Sequence, residues 1–137
     1  MRVVLDASCI LVLALDEEMP QTVVRMFDRL PDYGAAVPSI WRYEVVNVLL
    51  LSVRRQRIDI ESFHARLAEF ARLSIAVDEM STGRAWNEGA TIAQRHGLTI
   101  YDAAYLELAI RLALPLATLD KALARAARSE GVEVIGD

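Results

Sequence analysis

Four acidic residues of this chain end or interrupt strongly apolar runs, where a globular core normally excludes charge. Asp6 and Asp120 each end a short apolar run. Glu44 and Asp102 each lie inside a longer one. A carboxylate is rarely buried alone, because losing its water costs several kcal/mol unless a cation or hydrogen bonds compensate. Four such residues in a chain of 137 therefore predict a pocket that binds a metal cation.

The predicted ligands are carboxylate oxygens, without a contribution from His or Cys. Oxygen ligands favour a hard ion such as Mg²⁺ or Mn²⁺ over Zn²⁺. Mg²⁺ is usually held directly by one or two carboxylates, and the remaining acids bind its waters. A second ion about 3.5–4 Å away would clamp the attacking water and the leaving oxygen of an in-line displacement. The chemistry indicated is hydrolysis of a phosphodiester bond.

Three polar residues accompany the acids: Ser8, Asn47 and Thr118. Ser8 and Thr118 each lie two positions from an acid, where a hydroxyl could bind a metal-bound water or a phosphate. An ordinary helix N-cap for Ser8 and an ordinary strand residue for Thr118 explain them equally well. Asn47 follows Glu44 by three residues and shares its helix face, so it either orients Glu44 or a water, or bonds a neighbouring loop.

Other conspicuous residues are interpreted as structural. Cys9 is the single cysteine and is expected to pack as a small hydrophobe. Asp78 also follows a predicted strand, but polar residues surround it, which favours a surface turn. Five aromatic residues are interpreted as core or interface residues rather than surfaces for base stacking: Trp41, Tyr43, Trp86, Tyr101 and Tyr105.

Apolar runs of strand length alternate with segments of helical period. The predicted strands cover residues 2–6, 35–38, 74–77, 115–118 and 132–135. The predicted helices cover residues 7–15, 21–30, 40–55, 60–72, 82–96, 102–112 and 121–129. This alternation predicts a three-layer α/β/α domain with a short, mostly parallel central sheet.

The predicted elements bring the four acids to one edge of the sheet. Asp6 ends the first strand, and Asp120 follows the fourth. Asp102 is expected to begin a helix, where its carboxylate would accept backbone N–H bonds, and Glu44 lies near the first turn of its helix. Parallel sheets bind ligands at the carboxyl ends of their strands, so these positions predict a shared site.

Length and composition indicate a folded protein. A chain of 137 residues with 54% hydrophobic and 25% charged residues is expected to form one domain over residues 1–137. No apolar run approaches the roughly 18–20 residues of a membrane span, and no signal-peptide pattern is present, so we expect a cytoplasmic protein.

Charge argues against a generally basic nucleic-acid-binding protein, because the net charge is −4. However, 14 of the 15 basic residues are Arg, a side chain that binds phosphate in a bidentate manner and stacks on bases. A local group, Arg54, Arg55 and Arg57, is a possible surface for an RNA backbone. A general preference for Arg over Lys explains most of the excess.

Four separated segments, at residues 4–8, 38–47, 101–105 and 116–120, resemble the motifs of the PIN domain, in the order found in that family. The whole chain is similar to VapC-type toxins, the ribonuclease half of toxin–antitoxin pairs. The resemblance implies a Mg²⁺- or Mn²⁺-dependent endoribonuclease that cuts RNA such as tRNA or rRNA. It also implies a homodimer and a cognate VapB-type antitoxin. The implied metal-binding and catalytic acids are Asp6, Glu44, Asp102 and Asp120, with Ser8, Asn47 and Thr118 as supporting polar groups.

Three other functions compete with this interpretation. A receiver domain would carry paired acids at its first strand, where this chain has only Asp6, and would leave Glu44 without a role. A dehalogenase-type phosphatase would need a second Asp at the position of Ser8. A non-catalytic acidic module that binds a basic partner remains the main alternative, although the spacing of the acids favours a metal site.

Overall fold

The centre of the molecule is a parallel β-sheet. A computed structural model describes residues 2–15 and 17–136. Within these ranges the strands are β1 (Val3–Leu5), β2 (Ala35–Pro38), β3 (Ile75–Asp78), β4 (Leu116–Ala117) and β5 (Val134–Ile135). Their order is β3-β2-β1-β4-β5, and all neighbouring strands are parallel. The chain moves outward from β1 to β2 and β3, then returns to the other side of β1. This reversal between β1 and β4 is where such sheets place ligands.

Helices flank the sheet and complete the predicted α/β/α architecture. They are α1 (Ala7–Ala14), α2 (Gln21–Tyr33), α3 (Trp41–Arg54), α4 (Ile60–Ala71), α5 (Ser81–Arg84), α6 (Ala90–His96), α7 (Ile100–Leu112) and α8 (Lys121–Ser129), with a π-helical turn at Ala85–Gly89. In the described part of the chain, no helix combines the length and the apolar character needed to cross a membrane.

Helix α7 is the main packing partner of the central strands. It contacts β1, β2 and β4 and buries Tyr105, Leu106 and Leu108 completely. Each fully buried apolar side chain of this size stabilises the fold by roughly 1.5–3 kcal/mol. The strands β1 and β2 are buried along their whole length. This packing fixes the N-terminal end of α7, and with it Asp102, against the sheet.

Several element boundaries differ from those predicted. The strands β1, β4 and β5 are shorter at one or both ends, because strand pairing covers only two or three residues of each. Helix α2 continues through Pro31 to Tyr33, three residues beyond its predicted end at residue 30. It ends instead at Gly34, whose φ of +75° favours glycine and whose N–H donates to the carbonyl of Leu30 at 2.8 Å.

The helix predicted at residues 82–96 is interrupted by the π-helical turn. The last residue of this turn, Gly89, packs closely against helix α7. A Cβ atom at Gly89 would lie 3.3 Å from the carbonyl oxygen of Arg84 and 3.3 Å from Cδ1 of Ile100. The close approach of α7 therefore requires a small residue at this position.

The expectation of a surface turn at Asp78 was wrong. Asp78 is the last residue of β3, and its side chain is only 16% exposed. Arg111 donates to its carboxylate at 2.7 Å and also to Glu107 at 2.8 Å. The guanidinium of Arg111 holds the pKa of Asp78 below its usual value. Asp78 thus ties the edge strand β3 to the C-terminal end of α7 and is a structural acid.

Candidate active site

Each of the four acids singled out in the sequence lies at the N-terminal end of a helix. Asp6 is the N-cap residue of α1, and Asp120 is the N-cap residue of α8. Glu44 and Asp102 lie in the first turns of α3 and α7. Since the N-terminal end of a helix carries about half a positive charge, these positions partly offset the charge of the acids.

Asp6 is the innermost of the four and is held by two hydroxyl groups. The residue is 5% exposed. Ser8 Oγ and Thr118 Oγ1 each donate to Asp6 Oδ2, both at 2.7 Å. Both polar residues are therefore at the predicted site. Ser8 is not the helix N-cap, because Asp6 occupies that position.

The same hydroxyls connect Asp6 to the segment that follows β4. The N–H of Leu119 donates to Ser8 Oγ at 2.9 Å, and the N–H of Asp120 donates to Thr118 Oγ1 at 3.1 Å. Strand β5 closes on this segment at Gly136, where any side chain would collide with the carbonyl oxygen of Thr118. The carboxylate of Asp6 is thus fixed by α1 and by the segment that follows β4.

Glu44 is held by a residue that the sequence had suggested as a core or interface residue. Tyr105 is completely buried, and its hydroxyl donates to Glu44 Oε1 at 2.5 Å. Burial, together with the adjacent Glu44, raises the pKa of the Tyr105 hydroxyl, so it keeps its proton and acts as a donor. Tyr105 follows Asp102 by three residues on α7, and this helical spacing is the signal that could have placed it near the acids.

Asp102 does not begin its helix as expected. Thr99 is the N-cap residue of α7, and its Oγ1 accepts the N–H of Asp102 at 3.1 Å. The helix begins before Asp102 because Thr99 is followed by an acid three residues later, a pattern typical of a capping box. The threonine satisfies a free backbone N–H of the first turn and so leaves the Asp102 carboxylate available to the site.

Asn47 and Asp120 differ from the expectation for them. The side chain of Asn47 makes no hydrogen bond within the described ranges, and Tyr105 rather than Asn47 holds Glu44. Asp120 Oδ1 accepts the N–H of Leu123 at 2.8 Å and thereby caps α8. One oxygen of this carboxylate is therefore engaged in helix capping.

The acids act on one another electrostatically. Burial raises the pKa of Asp6, and the charge of Asp120 adds to this effect, against the hydrogen bonds from Ser8 and Thr118. Burial also raises the pKa of Glu44, where the charges of Asp6 and Asp102 contribute. Asp102 responds in the same way to burial and then to Asp6 and Asp120, so its pKa is raised as well.

The four acids have no basic partner among the residues that the structure describes. No Arg, Lys or His in the described ranges forms an ion pair with any of the four acids. Nor do three ligating side chains there converge closely enough to hold one ion as a group. The donor set is nevertheless compatible with Mg²⁺, because this ion needs only one or two direct carboxylates and keeps several waters. Such an arrangement fits better than a cage of three or four carboxylates.

Two other sequence interpretations can be compared with the structure. Cys9 is fully buried, and burial raises the pKa of its thiol to about 12, which agrees with a packing role. The three arginines Arg54, Arg55 and Arg57 are exposed at the C-terminal end of α3, where Arg57 pairs with Glu17 at 3.3 Å. Arg54 lies ten residues after Glu44, roughly 15 Å along the helix, so this cluster is separate from the acids.

Replacing Tyr105 by Phe should raise the pKa of Glu44 further. The variant keeps the buried ring but removes the hydroxyl, whose hydrogen bond stabilises the ionised carboxylate. Titration of the Glu44 carboxyl carbon by NMR measures this directly. Tyr43→Phe is the matched control, because Tyr43 is exposed and far less constrained. An unchanged Glu44 titration in Tyr105→Phe would contradict the assigned role of the hydroxyl.

Replacing Asp6 by Asn should stabilise the metal-free protein at neutral pH. The pKa of Asp6 in the folded state lies above its ordinary value of 3.8, so at pH values between the two the folded state binds more protons than the unfolded state. Stability is consequently lost as the pH rises from about 4 through the pKa of the folded state. The stability advantage of Asp6→Asn should be largest near neutral pH and disappear toward about pH 4. Urea unfolding in EDTA at several pH values tests this, and an advantage that does not vary with pH would refute it.

Comparison with known proteins identifies the family of this chain. The sequence profile of the PIN domain matches residues 3–129. Ribonuclease VapC3 of Pyrobaculum aerophilum is 31% identical over 124 residues, which cover 90% of this chain and 93% of that protein. The structure of VapBC2 from Rickettsia felis, bound to a DNA fragment from their promoter, has a TM-score of 0.68 at 18% identity and covers 98% of this chain and 97% of that one. A toxin–antitoxin complex from Klebsiella pneumoniae has a TM-score of 0.57 at 16% identity, with coverage of 88% and 87%. The chain belongs to the PIN domain family, and VapC-type proteins are among its relatives.

Proposed function

We propose that this protein is a divalent-metal-dependent endoribonuclease and the toxin of a toxin–antitoxin pair. The observation that carries the proposal is the group of Asp6, Glu44 and Asp102, because the pKa of each is raised, chiefly by burial and further by the charge of neighbouring acids. No basic side chain in the described ranges forms an ion pair with them. A divalent cation would remove this repulsion. The similarity to Ribonuclease VapC3 supports RNA as the substrate.

The residues that would hold Mg²⁺ or Mn²⁺ are Asp6, Glu44, Asp102 and Asp120, some directly and others through water. A bound divalent ion lowers the pKa of a coordinated water and stabilises charge on a phosphate oxygen. Ser8 and Thr118 orient Asp6 by hydrogen bonds to one of its oxygens. Tyr105 does the same for Glu44. Its hydroxyl donates a hydrogen bond to that carboxylate and stays protonated, because its pKa is raised.

The helices contribute to substrate binding through their N-terminal ends. Those of α1, α3, α7 and α8 carry the acids. Free backbone N–H groups and the positive end of each helix dipole attract phosphate. They therefore favour a phosphodiester at the site, even though the chain has a net charge of −4. The acids and the metal perform the chemistry, and the helix ends reduce the repulsion between the acids and the RNA.

We also propose a VapB-type antitoxin as partner and a homodimeric assembly. The relative named Ribonuclease VapC3 and the similarity to a toxin–antitoxin complex support the antitoxin. A guanidinium group of the antitoxin could take the place of the cation against the four acids, because Arg pairs well with carboxylates. The homodimer is tested by the mass of the purified protein in sedimentation.

Cleavage should require both a divalent metal and the acids. We expect purified protein to cut tRNA or rRNA fragments with Mg²⁺ or Mn²⁺ and to stop in EDTA. Asp6→Asn and Asp102→Asn should each reduce the rate by at least about 100-fold, since changes even to groups that orient metal ligands cost 10- to 100-fold. Glu79→Gln, an exposed acid outside the site, is the control and should cut like the wild type. Protein that binds RNA or a basic peptide but cuts no RNA would favour the non-catalytic binding module.

Neutralising the arginine cluster should reduce the salt dependence of RNA binding. The double variant Arg54→Gln, Arg55→Gln removes two exposed charges that we propose contact phosphates. The slope of log affinity against log salt should fall by about 1.4 for single-stranded RNA, about 0.7 for each lost contact. Binding is measured by fluorescence anisotropy in the inactive Asp102→Asn background. Arg2→Gln, an exposed charge elsewhere, serves as control. An unchanged slope in the double variant would remove the cluster from the RNA path.

A further inference from the structure

The solvent-facing side of helix α8 carries basic residues and no acid. Lys121, Arg125 and Arg128 are exposed, whereas Leu123 and Ala127 on the other side are completely buried. With about 3.6 residues in each turn, the three basic residues lie within roughly 60° of one another around the helix axis. They form a stripe about 10 Å long, at about 1.5 Å of rise per residue, which we call the α8 stripe.

The stability of α8 does not explain these charges. The helix dipole favours Arg128, which lies in the last turn. Lys121, however, is the first residue of α8, where the dipole disfavours a cation. Lys121 and Arg125 are also four residues apart, a spacing at which like charges destabilise a helix. Neither forms an ion pair within the described ranges, so these two charges do not help α8 to form.

The exposed faces of other helices mix the two signs of charge. Arg25 and Asp28 are both exposed on α2, and on α4 Arg66 pairs with Glu69 at 3.2 Å. Interspersed charges of this kind are sufficient to keep a surface soluble. Since the chain has 19 acidic and only 15 basic residues, a stripe of bases alone is a local exception. Solubility therefore does not explain the α8 stripe either.

The α8 stripe begins at the acidic site. Asp120 is the N-cap residue of α8, and its charge adds to the effect of burial in raising the pKa of Asp6 and Asp102. Helix α8 then runs away from this edge of the sheet, because it leads from the end of β4 to the start of the parallel strand β5. A polymer bound along the stripe would therefore enter or leave the site directly.

The α8 stripe is separate from the arginine cluster at the C-terminal end of α3. Helix α3 follows β2 and helix α8 follows β4, and these two strands lie on opposite sides of β1. The two basic surfaces can therefore be tested independently.

We infer that Lys121, Arg125 and Arg128 bind phosphates of the RNA on one side of the bond that is cut. This inference rests on the proposed ribonuclease function and adds that the substrate must extend along α8. Contacts of Arg and Lys with phosphate supply affinity and fix the register of the substrate without reading its sequence. A stacked strand advances about 3.4 Å for each phosphate, so a stripe of about 10 Å spans about three nucleotides.

The composition of this face favours RNA over an acidic protein as the occupant. Besides the three bases, α8 exposes only Ala122 and Ser129. The centre of a protein interface is usually apolar and depleted of charge, with large side chains as anchors. Such an anchor is missing from the exposed side of α8. A row of cations without apolar contacts fits a phosphate backbone instead.

The test measures RNA binding by the double variant Lys121→Gln, Arg125→Gln in the inactive Asp102→Asn background. Arg128 is left in place because it has a further interaction within the protein. The slope of log affinity against log salt should fall by about 1.4, about 0.7 for each lost contact. The loss of affinity should accordingly shrink about 25-fold for each 10-fold increase in salt. The variant Lys121→Arg, Arg125→Lys keeps both charges and should bind normally.

The double variant Arg25→Gln, Arg29→Gln is the matched control. It removes two exposed charges at the same spacing from α2. These arginines line a cavity with Gly34 and Pro115, which precede β2 and β4 at the edge of the sheet opposite to the acids. We expect this control to bind RNA with the affinity and salt slope of the parent protein.

Shortened RNAs show which side of the cut lies along α8. After the cut has been mapped in an RNA that the wild type cleaves, one probe keeps a single nucleotide on the 5′ side and another a single nucleotide on the 3′ side. Removing the flank that lies on α8 should weaken binding as much as the double variant does. The double variant should then lose nothing further, because both changes remove the same contacts. On the other shortened RNA the double variant should show its full effect.

The outcomes separate this inference from the proposed function. In the active protein the double variant should raise KM rather than lower kcat. Wild-type cleavage with an unchanged affinity and salt slope in the double variant would overturn the role of the stripe and leave the nuclease intact. An equal loss of affinity on the full RNA and on both shortened RNAs would indicate a general effect of charge, and the inference would be wrong.

Two further results would also reject it. If the double variant binds RNA normally but no longer binds the antitoxin, the stripe belongs to a protein interface. A wild-type protein that neither binds nor cuts RNA would overturn both the stripe and the proposed function.

Discussion

The arrangement of the molecule depends on bringing carboxylates together that repel one another. The fold meets this constraint by placing Asp6, Glu44, Asp102 and Asp120 at the N-terminal ends of four helices, where the partial positive charge of each helix is highest. Hydrogen bonds from hydroxyl groups hold Asp6 and Glu44 in place. The pKa values of Asp6, Glu44 and Asp102 are nevertheless raised, chiefly because these carboxylates are buried and further because other acids lie near them.

The strands are short, and the segments after β1, β2 and β4 lead directly into α1, α3 and α8 at one edge of the sheet. Pairing of β1 with β4 involves only two residue pairs. The connections of Ser8 and Thr118 continue the contact between the two segments beyond the last paired residues. Helix α7 supplies the rest of the rigidity, since its buried residues pack on three strands. The geometry of the acidic site and the stability of the fold therefore rely on the same few contacts.

Much of this site could be predicted from sequence because Asp6 and Asp120 follow strands, and strand ends in a parallel sheet meet at a known edge. The predictions of Ser8 and Thr118 beside them required only local spacing. The bond from Tyr105 to Glu44 could not be foreseen in the same way, since it joins two helices 61 residues apart in the chain. Its formation depends on how α7 crosses α3, and no local pattern specifies that angle.

Exposure of aromatic rings was the other property that the sequence did not reveal. Tyr101 and Tyr105 lie on the same helix with similar neighbours, but one is half exposed and the other fully buried. The difference arises because the core ends between them. The prediction for Asp78 was wrong, because polar neighbours suggested a surface turn, whereas Arg111, 33 residues away, pairs with it. In both cases the burial of the side chain is determined by long-range packing rather than by residue type.

The link between Thr118 and Asp6 also affects how the protein is made. The two residues are 112 positions apart, and Asp120 follows still later. During translation, Asp6 therefore leaves the ribosome long before the partners that fix its carboxylate, and β5 must emerge afterwards to pair with β4. A growing chain therefore holds no assembled acidic site until the segment through β5 has been synthesised. Order of synthesis alone thus delays completion of this site until its last-made strand can join the sheet.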